Sequence, residues 1–93
     1  MNFEWNLQKA DINLKKHRVS FEEGSTVFGD ILSVTYPDPD HSVQEERYLI
    51  MGISNKNRVL IISHVYHGET IRIISARPAT KREQYFYEYG KLR

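Results

Sequence analysis

Four cationic side chains lie within eleven residues near the end of the chain, in the segment TIRIISARPATKREQYFY (70–87). Arg72 and Arg77 belong to its apolar first half, which is typical of a β-strand, and Lys81 and Arg82 follow at the start of a predicted helix. Arginine forms paired hydrogen bonds with phosphate oxygens, and the N–H groups at a helix start also attract anions. The segment therefore predicts a site that binds phosphate groups, with Arg72 and Arg77 as its main ligands.

An internal ion pair is the alternative interpretation of each arginine. Because successive strand residues point to opposite faces, strict alternation places Arg72 and Arg77 on opposite faces of the sheet. Both faces carry isoleucine, so both are expected to be partly covered, and a half-buried arginine there needs a carboxylate or an anionic ligand. The candidate carboxylate partners are Glu45, Glu46, Glu83 and Glu88.

Histidine is the side chain best suited to exchange protons near neutral pH, and the chain has four. His64 and His67 flank the end of a predicted central strand, which makes them candidates for proton transfer. A half-buried strand residue remains the alternative for His64, and an exposed turn residue for His67. His17 ends a helix and His41 lies in the PDPDHS loop, so the four do not form a metal-binding motif and no metal is expected.

The aromatic run YFYEY belongs to the last predicted helix, whose start is marked by Thr80 and Glu83 at capping-box spacing. Glu83 and Tyr87 lie four residues apart, on one helical face. Helical spacing also groups three aromatic residues that are expected to pack on the sheet, namely Tyr85, Phe86 and Tyr89. Tyr87 then points away from them, where it can stack on a base or donate its hydroxyl.

The elements that must position these residues predict an α+β domain. The opening FEWN is expected to be an extended lead-in, Asn6 to cap a helix over 7–17, and Ser20 to open a second helix that reaches about Phe28. Four apolar segments follow with short, turn-forming linkers, which favours an antiparallel meander. The predicted strands are 31–36, EERYLIMGIS (45–54), RVLIISHVYH (58–67) and 70–77, before the last helix to about Tyr89.

Composition limits the classes of protein that fit. The chain of 93 residues suffices for one domain and has no cysteine, which excludes disulfides, thiolate metal sites and a cysteine nucleophile. No apolar run approaches the ~20 residues that span a bilayer, and MNFEWNLQKAD lacks the basic flank and apolar stretch of a signal peptide, so a cytoplasmic protein is the default expectation. Residues 1–55 carry five basic and nine acidic side chains, whereas residues 56–93 carry eight basic and three acidic ones. The basic half can attract a polyanion, or it can be an ordinary solvated face.

Three long motifs resemble one known family. FEWN..KA..N..KH.VSFEE...VF.D near the start, HS..EER...MG.S in the middle and IRIISARPATKRE..FYE at the end resemble the BrnT-type toxins of bacterial toxin–antitoxin systems, in the same order over residues 3–88. The resemblance implies a RelE-like fold and a metal-independent ribonuclease, without cofactors, that stops growth. It also implies a BrnA-type antitoxin with a DNA-binding domain, through which the complex binds operator DNA and represses its own operon.

The resemblance also implies which positions belong to the site. The motif residues that stand intact are Arg47, Arg72, Arg77, Glu83 and Tyr87. Two positions depart from the usual family pattern. Arg18 stands where glycine is common, which changes a helix end. His67 stands where arginine is common, which either weakens the RNA-contacting surface or passes the role to histidine.

Metal-free RNA cleavage requires an activated 2′-hydroxyl, a neutralised phosphate charge and a protonated 5′-oxygen. The candidate catalytic residues are Arg72 and Arg77 for charge neutralisation, with His64, Glu83 and Tyr87, and the candidate RNA contacts are Arg47, His67, Lys81 and Arg82. Two other functions stay open at this point. One is a non-catalytic module that binds RNA or an acidic partner, and the other is a basic surface that only docks the antitoxin.

Overall fold

The computed structural model describes residues 1–41 and 45–90, so Ser42 of the predicted PDPDHS loop lies outside the described residues. Within these ranges the chain forms three α-helices, five β-strands and two 3-10 turns, Val27–Gly29 and Pro39–His41. The elements in chain order are β1 (Asn2–Glu4), α1 (Leu7–His17), α2 (Phe21–Thr26), β2 (Val34–Pro37), β3 (Tyr48–Ile53), β4 (Val59–His67), β5 (Thr70–Pro78) and α3 (Lys81–Tyr89). The predicted α+β class is confirmed.

The first and last helices begin where a polar side chain caps the first turn, as the sequence predicts. Asn6 Oδ1 accepts a hydrogen bond from the Lys9 N–H at 3.0 Å, which fixes the start of α1. Thr80 and Glu83 form a complete capping box at α3, in which each side chain bonds the backbone N–H of the other residue. Gly90 ends α3 in the left-handed region, at φ 78°, which glycine adopts without strain.

The second helix is capped at its start but lacks the reciprocal half of the predicted box. Ser20 Oγ accepts the Glu23 N–H at 3.0 Å. The Glu23 carboxylate turns inward instead, where it accepts hydrogen bonds from Ser54 at 2.7 Å and from Arg58 at 2.6 and 2.8 Å. The α-helix ends at Thr26 and tightens into a 3-10 turn, rather than continuing to the predicted end.

The sheet has five strands in the order β1-β5-β4-β3-β2, and it is mixed rather than purely antiparallel. The pairs β2–β3, β3–β4 and β4–β5 are antiparallel and form the predicted meander. The predicted count of four strands is wrong because the lead-in forms β1, which pairs with β5 in parallel and places Glu4 beside Arg72. Three residues carry too little pattern to predict a strand, and their partner lies almost the whole chain away.

A bulge in β5 changes which side chains share a face. Ser63 pairs with Ser75, but the next residue, His64, pairs with Ile73, so Ile74 is an extra residue on β5. The extra residue reverses the alternation beyond it. Arg72 therefore lies opposite Val65 and Arg77 opposite Ile61, and these two β4 residues share one face of the sheet. The prediction that the two arginines point to opposite faces is wrong.

Helices cover both faces of the sheet. On one face α1 and α2 cover a core formed by Val19, Phe21, Val27, Ile50, Leu60, Ile62, Ile73 and Ala76. On the other face α3 covers a smaller cluster of Met51, Ile61 and Ala79, against which Leu49, Val59, Phe86 and Tyr87 also pack. None of the helices in the described ranges is long and apolar enough to cross a membrane.

Asn13 fixes β5 from the side of the larger core. Its side-chain amide donates to the carbonyl of Ala76 at 2.8 Å and to that of Val19 at 2.9 Å, and its oxygen accepts the Ala76 N–H at 3.1 Å. Asn13 is buried, so these three bonds are shielded from water. They hold α1 against β5 two residues beyond the bulge and so support the geometry that turns both arginines to one face of the sheet.

Candidate functional site

Arg72 and Arg77 define one surface of the sheet, which we call the arginine face. Both side chains are partly exposed, Arg72 to 35% and Arg77 to 39%. Five residue steps along a strand separate their backbones by roughly 16 Å, so the two guanidinium groups belong to separate clusters. Each cluster has its own carboxylate, and the two carboxylates come from different elements.

The first cluster lies at the edge of the sheet where β1 joins β5, and we call it the Glu4 cluster. It comprises Glu4, His67 and Arg72, with Glu45 beside the histidine. Arg72 Nη1 donates to Glu4 Oε2 at 3.0 Å, and His67 Nδ1 lies 3.4 Å from the same oxygen. The other ring nitrogen of His67 lies 3.7 Å from Glu45 Oε2. A carboxylate, an imidazole and a guanidinium group thus meet at one oxygen atom.

Backbone register explains how these residues meet. The parallel pairing of β1 and β5 places Glu4 directly beside Arg72. The β4–β5 hairpin pairs His67 with Thr70 across a turn in which Gly68 has φ +61°, a conformation that glycine adopts without strain. The hydrogen bond from Arg72 lowers the pKa of the Glu4 carboxyl below its ordinary value, against a partial desolvation that raises it. Glu4 is consequently ionised at neutral pH.

The second cluster lies at the other end of β5, and we call it the Arg77 cluster. Arg77 Nη1 and Nη2 donate hydrogen bonds to Glu83 Oε1 and Oε2, at 2.8 and 2.9 Å, in a bidentate pair. Glu83 also accepts the Thr80 N–H at 2.8 Å, within the capping box. The Arg77 hydrogen bonds lower the pKa of Glu83 to about 2, and the same pair raises the pKa of Arg77. Nearby, burial and then the Glu83 charge raise the pKa of Tyr36.

Both arginines are therefore held in internal ion pairs, the alternative that the sequence left open. For Arg77 the partner is Glu83, which the sequence analysis named among four candidates. For Arg72 the partner is Glu4, which it did not name. Sequence reasoning missed Glu4 because only the β1–β5 pairing brings it to the site. The signal that could have found it is the acidic position in FEWN, if that stretch is taken as a strand.

His64 lies on the opposite face of the sheet from the arginines. It is fully buried on the face that α1 and α2 cover, and its ring packs edge-on against Phe28 with ring centroids 4.8 Å apart. Nδ1 donates to the Ile62 carbonyl at 3.0 Å, and Nε2 lies 3.3 Å from the Tyr66 hydroxyl. Burial lowers the pKa of His64, which favours the neutral ring. The structure does not bring His64 together with Arg72 or Arg77, because the sheet itself separates them.

The last helix presents a different face to the sheet from the one predicted. Phe86 and Tyr87 pack on the α3-covered cluster, in line with Glu83 at helical spacing. The Tyr87 hydroxyl donates to Asp30, and burial followed by this carboxylate raises the pKa of Tyr87 to about 12. Tyr87 does not point away from the sheet as predicted, and its hydroxyl is already hydrogen-bonded to Asp30.

The two remaining tyrosines of the run face outward. Tyr85 and Tyr89 are exposed, with their ring centroids 4.5 Å apart, so the prediction that they pack on the sheet is wrong. The Arg77–Glu83 pair explains the rotation of the helix, because it turns the Glu83 side towards the sheet. Stacking on a base, if it occurs on this helix, falls to Tyr85 and Tyr89 rather than to Tyr87.

The remaining cationic candidates differ in their settings. Lys81 and Arg82 are exposed in the first turn of α3, the same turn that carries Glu83. Arg47 is half-buried just before β3, where its carbonyl accepts the Asp38 N–H at 2.9 Å. Across the described residues, no group of three or more histidine, cysteine or acidic side chains is arranged to hold a metal ion.

Comparison with known protein families identifies the relationship. Residues 5–83 match the family described as the ribonuclease toxin, BrnT, of a type II toxin–antitoxin system. The chain belongs to the BrnT family. This membership implies a ribonuclease toxin with an RNA substrate and an antitoxin partner. The resemblance in the sequence motifs is thereby confirmed.

A solved structure supports the fold. The crystal structure of the Brucella abortus ribonuclease toxin, BrnT, is similar to this chain with a TM-score of 0.69 and 20% sequence identity. The similarity covers 87% of this chain and 99% of the Brucella chain. At this identity the likeness shows the fold alone, so the BrnT fold of the chain is established without any transfer of site residues. No curated protein matches the chain.

Proposed function

We propose that this BrnT-family protein is a metal-independent endoribonuclease that arrests growth by cleaving RNA. The family supplies the class of activity. The observation that carries the proposal is the bulge in β5, which turns Arg72 and Arg77 to the same partly exposed face of the sheet. Two permanent positive charges on one face suit a polyanion such as the RNA backbone.

The carboxylates that hold these arginines prepare them for phosphate. A carboxylate and a phosphate oxygen pair present the same acceptor geometry to a guanidinium fork, so RNA can replace the carboxylate. Solvent-exposed ion pairs contribute little net stability, so this exchange costs little for Arg72. The internal pairing therefore orients the arginines in the absence of substrate and is compatible with RNA binding.

The proposed assignment follows the needs of the reaction. Arg72 and Arg77 neutralise the phosphate charge that grows as the 2′-oxygen attacks. Lys81 and Arg82 are solvent-accessible in the first turn of α3 and contact the RNA backbone on the Arg77 side, and Arg47 adds a contact near the start of β3. His64, Glu83 and Tyr87 are left out of the chemistry, because each is buried or committed to an internal partner.

The proposed partner is a BrnA-type antitoxin with a DNA-binding domain. The family name supports an antitoxin of some kind, and the motif resemblance supports the BrnA type. Operator DNA is bound only through the toxin–antitoxin complex in this proposal, and the site needs no cofactor. A protein that acts on cellular RNA belongs in the cytoplasm.

The test is cleavage of a labelled RNA in EDTA by the parent protein and by Arg72→Ala and Arg77→Ala variants. We expect the parent to cleave and each variant to lose about 10²–10³-fold in rate, as for other phosphate-facing donors. Lys15→Ala is the matched control, because Lys15 is an exposed cation on α1 and belongs to neither cluster. Cleavage that disappears in EDTA, or that survives in both arginine variants, contradicts the proposal.

A second function follows from the ion pairs themselves. Arginines that keep their internal carboxylates throughout would leave a module that binds RNA through Lys81 and Arg82 without cleaving it. Saturable RNA binding by a folded parent that leaves the RNA intact would establish this function instead.

A further inference from the structure

The Glu4 cluster holds the three kinds of group that metal-free RNA cleavage requires. Glu4 is an ionised carboxylate, His67 is an imidazole 3.4 Å from it, and Arg72 is a guanidinium 3.0 Å from the same carboxylate oxygen. Neither the Arg77–Glu83 pair nor the Arg58–Glu23 pair includes an imidazole. The composition of the Glu4 cluster therefore matches a general base, a general acid and a phosphate ligand.

Exposure distinguishes this cluster from a structural ion pair. Side-chain exposure is 42% for Glu4, 48% for His67 and 35% for Arg72, so a substrate can reach all three. By contrast, Glu23 is only 2% exposed. Its carboxylate accepts hydrogen bonds from Ser54 and Arg58, and these bonds join α2 to the sheet. The contacts within the Glu4 cluster join the ends of β1, β4 and β5, and they do not attach a helix to the sheet.

We propose that Glu4 is the general base and His67 the general acid of the RNA cleavage proposed above, with Arg72 as the ligand of the scissile phosphate, which displaces Glu4 from the guanidinium group. Glu4 takes the proton of the 2′-hydroxyl while the 2′-oxygen forms a bond to phosphorus. The bond between phosphorus and the 5′-oxygen breaks, and protonated His67 gives its proton to that leaving oxygen. The products are a 2′,3′-cyclic phosphate and a 5′-hydroxyl end, and water later restores both protonation states. This assignment rests on the proposed ribonuclease function.

Substrate binding activates the base in this arrangement. In the unbound protein the hydrogen bond from Arg72 stabilises the ionised form of Glu4 and so weakens it as a base. A phosphate that takes over the Arg72 guanidinium removes this bond and restores the basicity of Glu4. Among the described residues, the charged groups that face the pair are Arg72 from β5 and Glu45 from the segment before β3, whose Oε2 lies 3.7 Å from His67 Nε2.

The experiment measures single-turnover cleavage of a short RNA by the parent, Glu4→Gln and His67→Gln across a range of pH. Binding is measured separately with the 2′-O-methyl form of the same RNA, which cannot be cleaved. We expect each variant to lose about 10²–10⁴-fold in cleavage rate, with affinity for the 2′-O-methyl RNA unchanged within about threefold. The acid limb of the pH–rate profile should disappear in Glu4→Gln and the alkaline limb in His67→Gln.

A substrate with sulfur in place of the 5′-oxygen separates the two roles. A thiolate leaves without protonation, so this substrate should restore the rate of His67→Gln and leave Glu4→Gln slow. Glu69→Gln is the matched control, since Glu69 is an exposed carboxylate in the adjacent hairpin turn, outside the cluster. Circular dichroism shows whether each variant is folded, and Glu4→Asp, which keeps a carboxylate, should retain part of the activity if the Gln variant does not fold.

The outcomes distinguish a wrong assignment of Glu4 or His67 from the absence of ribonuclease activity. A parent that cleaves RNA while Glu4→Gln cleaves at the parent rate overturns the general-base assignment and leaves the ribonuclease function intact. The same holds for His67 if the sulfur substrate gives no recovery. A folded parent that cleaves no RNA overturns the ribonuclease function and this assignment together.

Discussion

Replacing Glu83 by glutamine should remove the strongest ion pair on the arginine face. The carboxylate of Glu83 receives both terminal nitrogens of Arg77 and the Thr80 N–H, and its pKa falls from 4.5 to about 2. Taken in full, such a shift corresponds to about 3 kcal/mol of stability. Because Arg77 is 39% exposed, solvent screening reduces the expected loss in Glu83→Gln to about 1–2 kcal/mol near neutral pH.

The loss should depend on pH in one direction only. The pKa of Glu83 is depressed in the folded state, so its stabilisation is fully present above pH 4.5 and is lost as the pH falls through about 2. Urea unfolding of the parent and the variant at a series of pH values should therefore show a gap in free energy that narrows below pH 4.5. Asp11→Asn is the control, since it breaks an exposed pair with Lys15 and should cost less than about 0.5 kcal/mol. A gap that is absent near neutral pH, or that stays constant down to pH 3, would show that the Glu83 carboxylate does not stabilise the fold through Arg77.

Three further changes test other parts of the structure. Asn13→Ala leaves buried backbone groups without partners, so unfolding measurements should show a loss of about 2–4 kcal/mol, and cleavage should fall as the bulge in β5 relaxes. Tyr87→Phe removes only the hydroxyl bonded to Asp30, so it should cost about 1 kcal/mol of stability, and RNA cleavage by the variant should equal that of the parent. The double variant of Lys81→Ala and Arg82→Ala should weaken RNA binding and reduce the slope of log affinity against log salt by about 1–2, as measured by fluorescence anisotropy.

Local sequence signals predicted local structure well. Asn6 and the Thr80–Glu83 box mark the starts of two helices because a cap is formed within four residues. Glu83 could be named as a partner of Arg77 for a similar reason, because only six residues separate the two along the chain. Strand segments of six to nine residues in the meander also carry enough apolar pattern to be recognised.

The parts that could not be predicted depend on contacts between distant segments. Glu4 and Arg72 are 68 residues apart and meet only because β1 adds to the edge of the sheet. Nothing in IRIISAR marks the extra residue, Ile74, because both isoleucine-rich faces look alike before the partner strand is known. His64 was misplaced for a related reason: one strand position does not reveal which face the helices cover. The sequence thus named Arg72, Arg77 and His67 among its candidates and missed Glu4, which only the β1–β5 pairing brings to them.

The two arginines differ in the carboxylate that a phosphate must displace, and this difference favours different roles for them. Arg72 makes a single bond at 3.0 Å to a carboxylate that is 42% exposed, whereas Arg77 makes two bonds to a carboxylate that is 27% exposed and also caps α3. We therefore expect RNA to displace Glu4 more easily than Glu83, which favours Arg72 as the main ligand of the scissile phosphate. We propose that Arg77, which keeps more of its pairing, also positions the first turn of α3 and the two exposed cations there for contact with the RNA backbone.

This division gives the arginine variants different kinetic signatures. Arg72→Ala should lower the single-turnover rate constant with little change in affinity for 2′-O-methyl RNA, since its contact strengthens as charge grows on the phosphate. Arg77→Ala should lower the cleavage rate as well, but it should also weaken RNA binding and lower stability by an amount similar to Glu83→Gln, because both changes break the same pair. Combining the last two substitutions should then cost little more stability than either alone. If the two losses simply add, Arg77 and Glu83 stabilise the fold separately and the pair does not position α3.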